Sequence, residues 1–286
     1  EGYPSACVTY TPSEKNSYQM SYSRRIDRPG IGQVNPLPEF NTALISQFGN
    51  QELLPQFTNS IETNYTRNLE KGSITAGVFY RLIEDEIQQA ILIDRADPNR
   101  LILTNLNFDN TTAYGVELST SYRPTKWWSI NGSFDLFSQT QRSIAESFDE
   151  NQDIVLNTVE VDNVVWNIRA FNNFKASKTL SFSAFALYRG RNQNIQFRSD
   201  EMFTLNLGMR YSFLNGRADF SLNYNDIFDT MFAAFETPRP FLQRGQFNFE
   251  SQQISGRLSY RFGGGKYRAK SRKRRDKNVK DDGGMF

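Results

Sequence analysis

Histidine is absent from the 286 residues. That removes Ser–His hydrolytic chemistry, the commonest general base and the most frequent metal ligand together. The single cysteine, Cys7, excludes an internal disulfide and a cysteine-cluster zinc site. It alternates with Ala6 and Val8 in a short extended segment, where a small packing residue is the reading. No phosphate-binding glycine loop is present. Mean hydropathy is −0.59, and no apolar run approaches the roughly 18 residues of a transmembrane helix. No segment has a convincing helical period. Nor does the chain open on a signal peptide: Glu1-Gly2-Tyr3-Pro4 has neither a charged nor an apolar leader region. A secreted barrel needs one, so the expectation is that it was cleaved or that the chain starts within a longer protein.

What is present is alternation. From Phe203, the residues Leu205, Leu207, Met209, Tyr211 and Phe213 share one face, and Thr204, Asn206, Gly208, Arg210 and Ser212 share the other. The Leu214–Arg217 turn follows. Ala218, Phe220, Leu222 and Tyr224 then alternate with Asp219, Ser221 and Asn223. Successive strand side chains point to opposite faces, so this is a hairpin with one apolar and one polar side. A tilted strand of about 9–11 residues crosses a bilayer. Aromatics make up 14% of the chain, with 24 Phe and 13 Tyr, which suits a lipid-facing surface with interfacial girdles.

The unit recurs. Eleven strands are predicted, near 5–10, 17–25, 58–67, 73–83, 112–122, 127–138, 163–174, 180–188, 203–213, 218–224 and 246–262. Val165, Phe171, Phe185 and Leu187 break the polar side of the seventh and eighth strands. The last strand changes phase between Phe249 and Ile254, which a bulge near Ser251 would explain. Connections alternate between short and long. Short turns at one end and long loops at the other are the pattern of an outer-membrane barrel, turns periplasmic and loops outside. By the same parity the C-terminus is periplasmic. The fold class predicted is therefore all-β, an antiparallel transmembrane β-barrel.

Net charge is +2, but nine of the 33 basic residues fall in Lys266–Lys280, and the rest of the chain is net acidic. The chain divides into strands and loops over 1–262 and a flexible basic tail over 263–286. The tail has little aromatic interleaving, so nucleic acid is not assigned as a partner. The clear mid-strand charges, Glu117, Arg210 and Asp219, all fall on the polar phase, which makes them candidate lumen residues. Arg24, Arg25 and Arg28 cluster where the second strand meets its loop. They suit an anionic ligand or lipopolysaccharide contact through bidentate hydrogen bonds, or structural pairing with Asp27 or Glu39. Asp94, Asp97, Asp109, Asp149, Glu150 and Asp153 lie in the long loops without calcium-loop spacing. They read as solvated charge, and no metal, cofactor or catalytic residue is assigned.

Several segments resemble the outer-membrane β-barrel family of TonB-dependent receptor-like proteins. Ser21-Tyr22-Ser23-Arg24-Arg25-Ile26-Asp27-Arg28-Pro29 is similar to its SYSRRI-x-RP signature, and Asn35-Pro36 follows as that pattern expects. Gly49-Asn50-Gln51-Glu52-Leu53-Leu54-Pro55-Gln56 resembles its Gly-Asn-Pro-x-Leu-x-Pro-Glu loop, departing at Gln51 and Gln56. Weaker matches follow in order: 80–87, Tyr114-Gly115-Val116-Glu117, Asn225-Asp226-Ile227-Phe228-Asp229-Thr230, and 256–264. The resemblance implies a 22-stranded barrel around an N-terminal plug, of which these strands are the C-terminal half; a closed twelve-stranded barrel is the alternative. It implies import of a nutrient ligand in the outer membrane of a Gram-negative bacterium. The implied partners are outer-membrane lipid and lipopolysaccharide, the plug and other barrel half, and an inner-membrane TonB-type energy-coupling protein, with a surface lipoprotein as a further candidate. The competing classes are a barrel with a structural, adhesive or assembly role, and a soluble all-β binding module. An enzyme has least support, because no paired carboxylates stand out.

Overall fold

Alternating apolar and polar residues can satisfy both lipid and a polar interior only if all of them join one sheet, because each strand alone leaves its backbone groups unpaired. The computed structural model describes residues 2–262 except 39, 152 and 241. Its elements are β1 (Ser5–Ser13), β2 (Asn16–Asp27), the one-turn α1 (Ile31–Val34), β3 (Phe40–Asn41), β4 (Ile45–Gln47), β5 (Gln56–Leu69) and β6 (Gly72–Ile93). Then come β7 (Leu101–Tyr122), β8 (Trp128–Phe148), β9 (Ile154–Lys175), β10 (Leu180–Arg189), β11 (Asn192–Gln193) and β12 (Arg198–Ser199). The last are β13 (Met202–Phe213), β14 (Ala218–Asn225), β15 (Phe232–Thr237), β16 (Gln243–Asn248) and β17 (Gln253–Tyr260). Eleven of the strands lie side by side in the order β1-β2-β5-β6-β7-β8-β9-β10-β13-β14-β17 and form the wall. Neighbours along it are antiparallel. The sheet is open: among the described residues β1 pairs only with β2, and β17 only with β14.

The register resolves the wall into two faces. One row runs Val8, Met20, Thr63, Val78, Val116, Leu136, Trp166 across seven strands. Its large apolar members are all exposed, Val8 at 70% and Val78 at 54%. An apolar surface this continuous is a lipid face. The adjacent row on the other face runs Thr9, Gln19, Asn64, Gly77, Glu117, Asp135, Asn167, Arg189. It is polar throughout apart from one glycine.

The turns and loops segregate. The turn end has the connections at 14–15, 70–71, 123–127, 176–179 and 214–217. In the last, Leu214 and Asn215 adopt φ of 52° and 54°, followed by Gly216 at 79°, the left-handed geometry that Asn and Gly tolerate.

The loop end differs from the sequence expectation in three ways. Residues 84–111 and 139–162 are mostly strand: β6, β7 and β9 have 22 residues each, about 70 Å at 3.3 Å per residue. That is twice the membrane core, so the hairpins project beyond the wall. The predicted last strand divides into β16, which belongs to a separate four-stranded sheet β11-β12-β15-β16, and β17, which belongs to the wall. The phase change near Ser251 is thus a break between two sheets, and no bulge is involved. Residues 31–34 form a single helical turn, too short for sequence periodicity to register. The basic tail, 263–286, lies outside the described residues.

Candidate functional site

The polar face of the wall carries charge in two groups. In the first, Arg81 on β6 lies 3.1 Å from Glu62 on β5 and 3.6 Å from Glu117 on β7. Ser60 donates to Glu62 at 2.9 Å, and the Arg81 guanidinium sits 4.2 Å from the Phe79 ring centre. Glu117 faces Asp135 directly across β7 and β8. Like charges so placed repel, and Arg81 offsets one of them. One level toward the loops, Phe79 leans against Phe137 with ring centres 6.4 Å apart. Gly115 sits between them, and a Cβ there would come within 2.5 Å of Phe137 Cβ. The inner face is therefore polar with an apolar island, completed by buried Val165.

The second group lies near the turn end. Asp219 accepts from Ser212 Oγ at 2.5 Å and pairs with Arg210 at 3.0 Å and Arg261 at 3.5 Å. A 340 Å³ recess beside it is lined by Arg210, Arg257, Asn173, Ser183, Ser221 and Asn223.

The structure divides the residues singled out from sequence. Glu117, Arg210 and Asp219 lie on the polar face. Arg25 does too, and it lines a 200 Å³ recess with Cys7, Ser21, Ser60 and Glu62. Arg24 does not: it shares the apolar face with Tyr22 and Ile61, pairing in register with Asn59. Its guanidinium lies 3.1 Å from Glu84, 3.2 Å from Asn59 Oδ1 and 4.7 Å from the Phe57 ring centre. Its acid is thus on β6 of the wall and is not its neighbour Asp27; Glu39 lies outside the described residues. Arg28 is exposed beyond the end of β2. Glu62 and Arg81 were missed, although the alternation that placed Glu117 on the polar phase places them there as well.

The two motif segments after β2 meet in space. Gly49 N and Asn50 N donate to Asn35 O and Gln33 O, both at 2.7 Å, and a Cβ on Gly49 would lie 2.6 Å from Asn35 N. Asn50 Nδ2 then reaches Asn105 O at 3.2 Å. Asn107 grips Leu54 through its N–H (2.8 Å) and carbonyl (2.9 Å). These residues brace the loop against the β6–β7 hairpin.

Above the wall the loops form a roof. At Asp85, φ is 55°, and the β6–β7 ladder skips one pair there. The strand turns over as a result: Glu84 meets Arg24 outside, whereas Glu86 accepts from Thr111 and Gln141 Nε2 (2.8 Å) inside. Ala90 and Phe108 thereby join Ala145, Val161 and Ile195 in a small buried core. Gln196, in the β11–β12 connection, completes it. Its side chain accepts from Ile91 N (2.6 Å) and donates to Ile91 O (2.8 Å), as a neighbouring strand would. Gln141 Oε1 accepts from Ile195 N at 3.0 Å, and Glu146 accepts from Ile93 N at 2.7 Å and Arg95 at 2.6 Å. Among the described residues, no three His, Cys, Asp or Glu side chains converge as metal ligands would.

An open, bilayer-high antiparallel sheet, apolar outside, polar inside and roofed at its long-loop end, is a portion of a membrane barrel. Residues 2–260 match the outer membrane protein beta-barrel family. The chain belongs to that family. Among solved structures it is similar to the siderophore receptor PirA from Pseudomonas aeruginosa (TM-score 0.59, 12% identity, 91% of this chain and 42% of that one). It is also similar to the siderophore receptor PiuA from Acinetobacter baumannii (0.56, 17%, 89% and 34%). A third is the ferric enterobactin receptor PfeA from Pseudomonas aeruginosa, a mutant in complex with enterobactin (0.55, 13%, 90% and 40%). At such identities the likeness is one of fold. This outer-membrane family member spans about two fifths or less of the length of those receptors. No curated protein matches it significantly.

Proposed function

We propose that this chain is the C-terminal wall of an energy-coupled outer-membrane receptor that takes up a nutrient ligand. The observation that carries the reading is the eleven-stranded open wall with a polar, charged inner face. Its free edges, β1 and β17, run in the same direction, because an odd number of antiparallel strands separates their outer sides. In lipid both edges need a partner. Antiparallel closure requires an odd number of further strands, and a second copy of the same sheet in the same orientation would meet it only through parallel seams. The rest of the wall therefore comes from a different segment, and another eleven strands satisfy the parity. The long loops would face outward and capture the ligand, while the turns and the C-terminal tail would face the periplasm. Glu117, Arg81, Arg210, Asp219 and Arg25 would line the lumen against a plug, which an inner-membrane TonB-type protein would move. Lipopolysaccharide would surround the loop end, and a surface lipoprotein could seat on the roof.

A passive barrel with a structural or adhesive role is the competing reading. The complete protein in a planar bilayer separates them. A plugged receptor is electrically silent and conducts only once its plug is unfolded by denaturant. A steady open conductance in the untreated protein would overturn the receptor reading.

A further inference from the structure

The two ends of this wall carry opposite charge. The five connections and flanking residues at the turn end hold seven basic residues, Lys15, Lys71, Arg123, Lys126, Lys175, Lys178 and Arg217, against two acids, Glu14 and Glu70. The loop-end segments 28–55, 84–110, 139–162, 189–201 and 226–252 hold twenty acids against nine bases. All seven turn-end cations are exposed. Among the described residues none of the seven takes part in an ion pair; just inside the same rim, Arg210 and Arg261 pair with Asp219.

The collar lies immediately beyond a belt of outward-facing rings. Tyr10, Tyr18 and Tyr65 form one stack, with ring centres 6.4 and 4.9 Å apart. Trp127, Trp128 and Phe174 form another, with separations of 6.0–6.2 Å. Tyr211 and Phe213 follow at 5.7 Å. Arg123 directly follows Tyr122, Lys126 precedes Trp127 and Lys175 follows Phe174. Aromatic rings settle at the headgroup level, and Lys and Arg just beyond them reach the phosphates.

We propose that this basic collar is a binding surface for anionic phospholipid headgroups, with phosphodiester oxygens as the recognised group. The proposal rests on the reading of the wall as bilayer-spanning, not on transport. Each of five successive turns contributes at least one cation, so the charge follows the rim, as a leaflet does. A single acidic protein segment would meet one patch of it. A 590 Å³ recess between the second and third turns carries Lys71, Arg123 and Lys126 at its rim, beside Glu70, and runs inward onto the lumen-side Ser121, Ser129 and Asn131; the headgroup contact is assigned to the three rim cations and not to the recess. Lys71 Nζ already spans the two turns, donating to Pro124 O at 2.7 Å.

The test uses the complete protein in bilayers of phosphatidylcholine, with a trace of spin-labelled phosphatidylglycerol or spin-labelled phosphatidylcholine to report on the protein-bound lipid. A single Lys or Arg near a charged surface corresponds to about a five-fold preference for the anionic lipid. The expected result is a preference of at least that size, which falls as salt is raised and is reduced in the Lys71→Gln, Arg123→Gln, Lys126→Gln triple variant. Arg142→Gln, at the loop end, should leave it intact. Equal binding of the two lipids, or a preference that survives both high salt and the triple variant, overturns the proposal. Displacement of the lipid by millimolar inorganic phosphate would assign these cations to free phosphate and overturn the lipid reading. Protection of the collar by an acidic segment of the same protein in lipid-free detergent would also overturn it. The salt titration needs no variant and stands even if the triple substitution folds poorly.

Discussion

Asp226 shows what a single residue does in this wall. It is 1% exposed and accepts five hydrogen bonds: from Thr204 Oγ1, Thr230 N, Thr230 Oγ1, Met231 N and Ser251 Oγ, at 2.6–3.4 Å. Its own N–H donates to Asn206 Oδ1 at 2.7 Å. One carboxylate therefore ties β13, the end of β14, the start of the last long loop and the entry to β17. Burial works to raise its pKa, but the bonds from Ser251, Met231, Thr230 and Thr204 outweigh it and hold the carboxyl below its ordinary 3.8. A depressed acid contributes stability that is fully present above 3.8 and is lost as pH falls through the lower folded value. Protease nicking within 227–252 is thus expected to rise below about pH 3.8 while staying flat from pH 5 to 8. Asp226→Asn replaces acceptors by a donor facing Met231 N, at a cost of about 2 kcal/mol. The same nicking at neutral pH checks it, and an unchanged digestion pattern would remove Asp226 from this role.

At the scale of elements, the roof is a set of hairpins that outgrow the wall and are then locked to each other by side chains. Gln196 acts as a one-residue strand against Ile91, and it is 3% exposed. Gln196→Ala leaves the Ile91 N–H and C=O without that partner, which costs roughly 1–3 kcal/mol for a buried group. Because the loss falls outside the wall ladders, amide exchange should accelerate at Ile91 and Ile195 and stay slow in β13 and β14. Uniform acceleration would mean that roof and wall unfold as one unit. The β11-β12-β15-β16 sheet draws on two loops that are separate in sequence, with Arg198 opposite Glu236 in register and Arg244 2.9 Å from Glu236. Both long loops after β10 are thereby organised together.

For the whole molecule, the two faces make opposite demands on the same substitution. Val116 belongs to the exposed apolar row and Ser119 to the polar face. An Arg at the bilayer midplane on the lipid side costs about 2–4 kcal/mol, and the cost disappears for lumen positions. Val116→Arg should therefore lower the urea midpoint of the vesicle-embedded complete protein clearly, and Ser119→Arg should shift it little. Equal effects would mean that the faces are misassigned. The opposed charge of the two rims is likewise a property of the whole, since no single hairpin carries it.

Local alternation determined which residues share a face, because a period of two follows from strand geometry wherever the strand lies. It therefore placed Glu117, Arg210 and Asp219 on the polar side, and with the rhythm of short and long connections it indicated a barrel. It failed where a backbone event far from any pattern intervened. The left-handed Asp85 turns β6 over, and β16 departs to another sheet before β17 begins. Arg24 keeps to the alternation, sharing a face with Tyr22 along the unbroken β2–β5 ladder; what the pattern could not show is that Glu84 on β6 meets it. Which charges pair was decided only by the tertiary structure. Arg81 reaches two acids on two neighbouring strands, Asp226 gathers donors from Thr204 to Ser251, and Gln196 finds Ile91 105 positions away. Such contacts depend on strand order and register, and neither is written in any one strand.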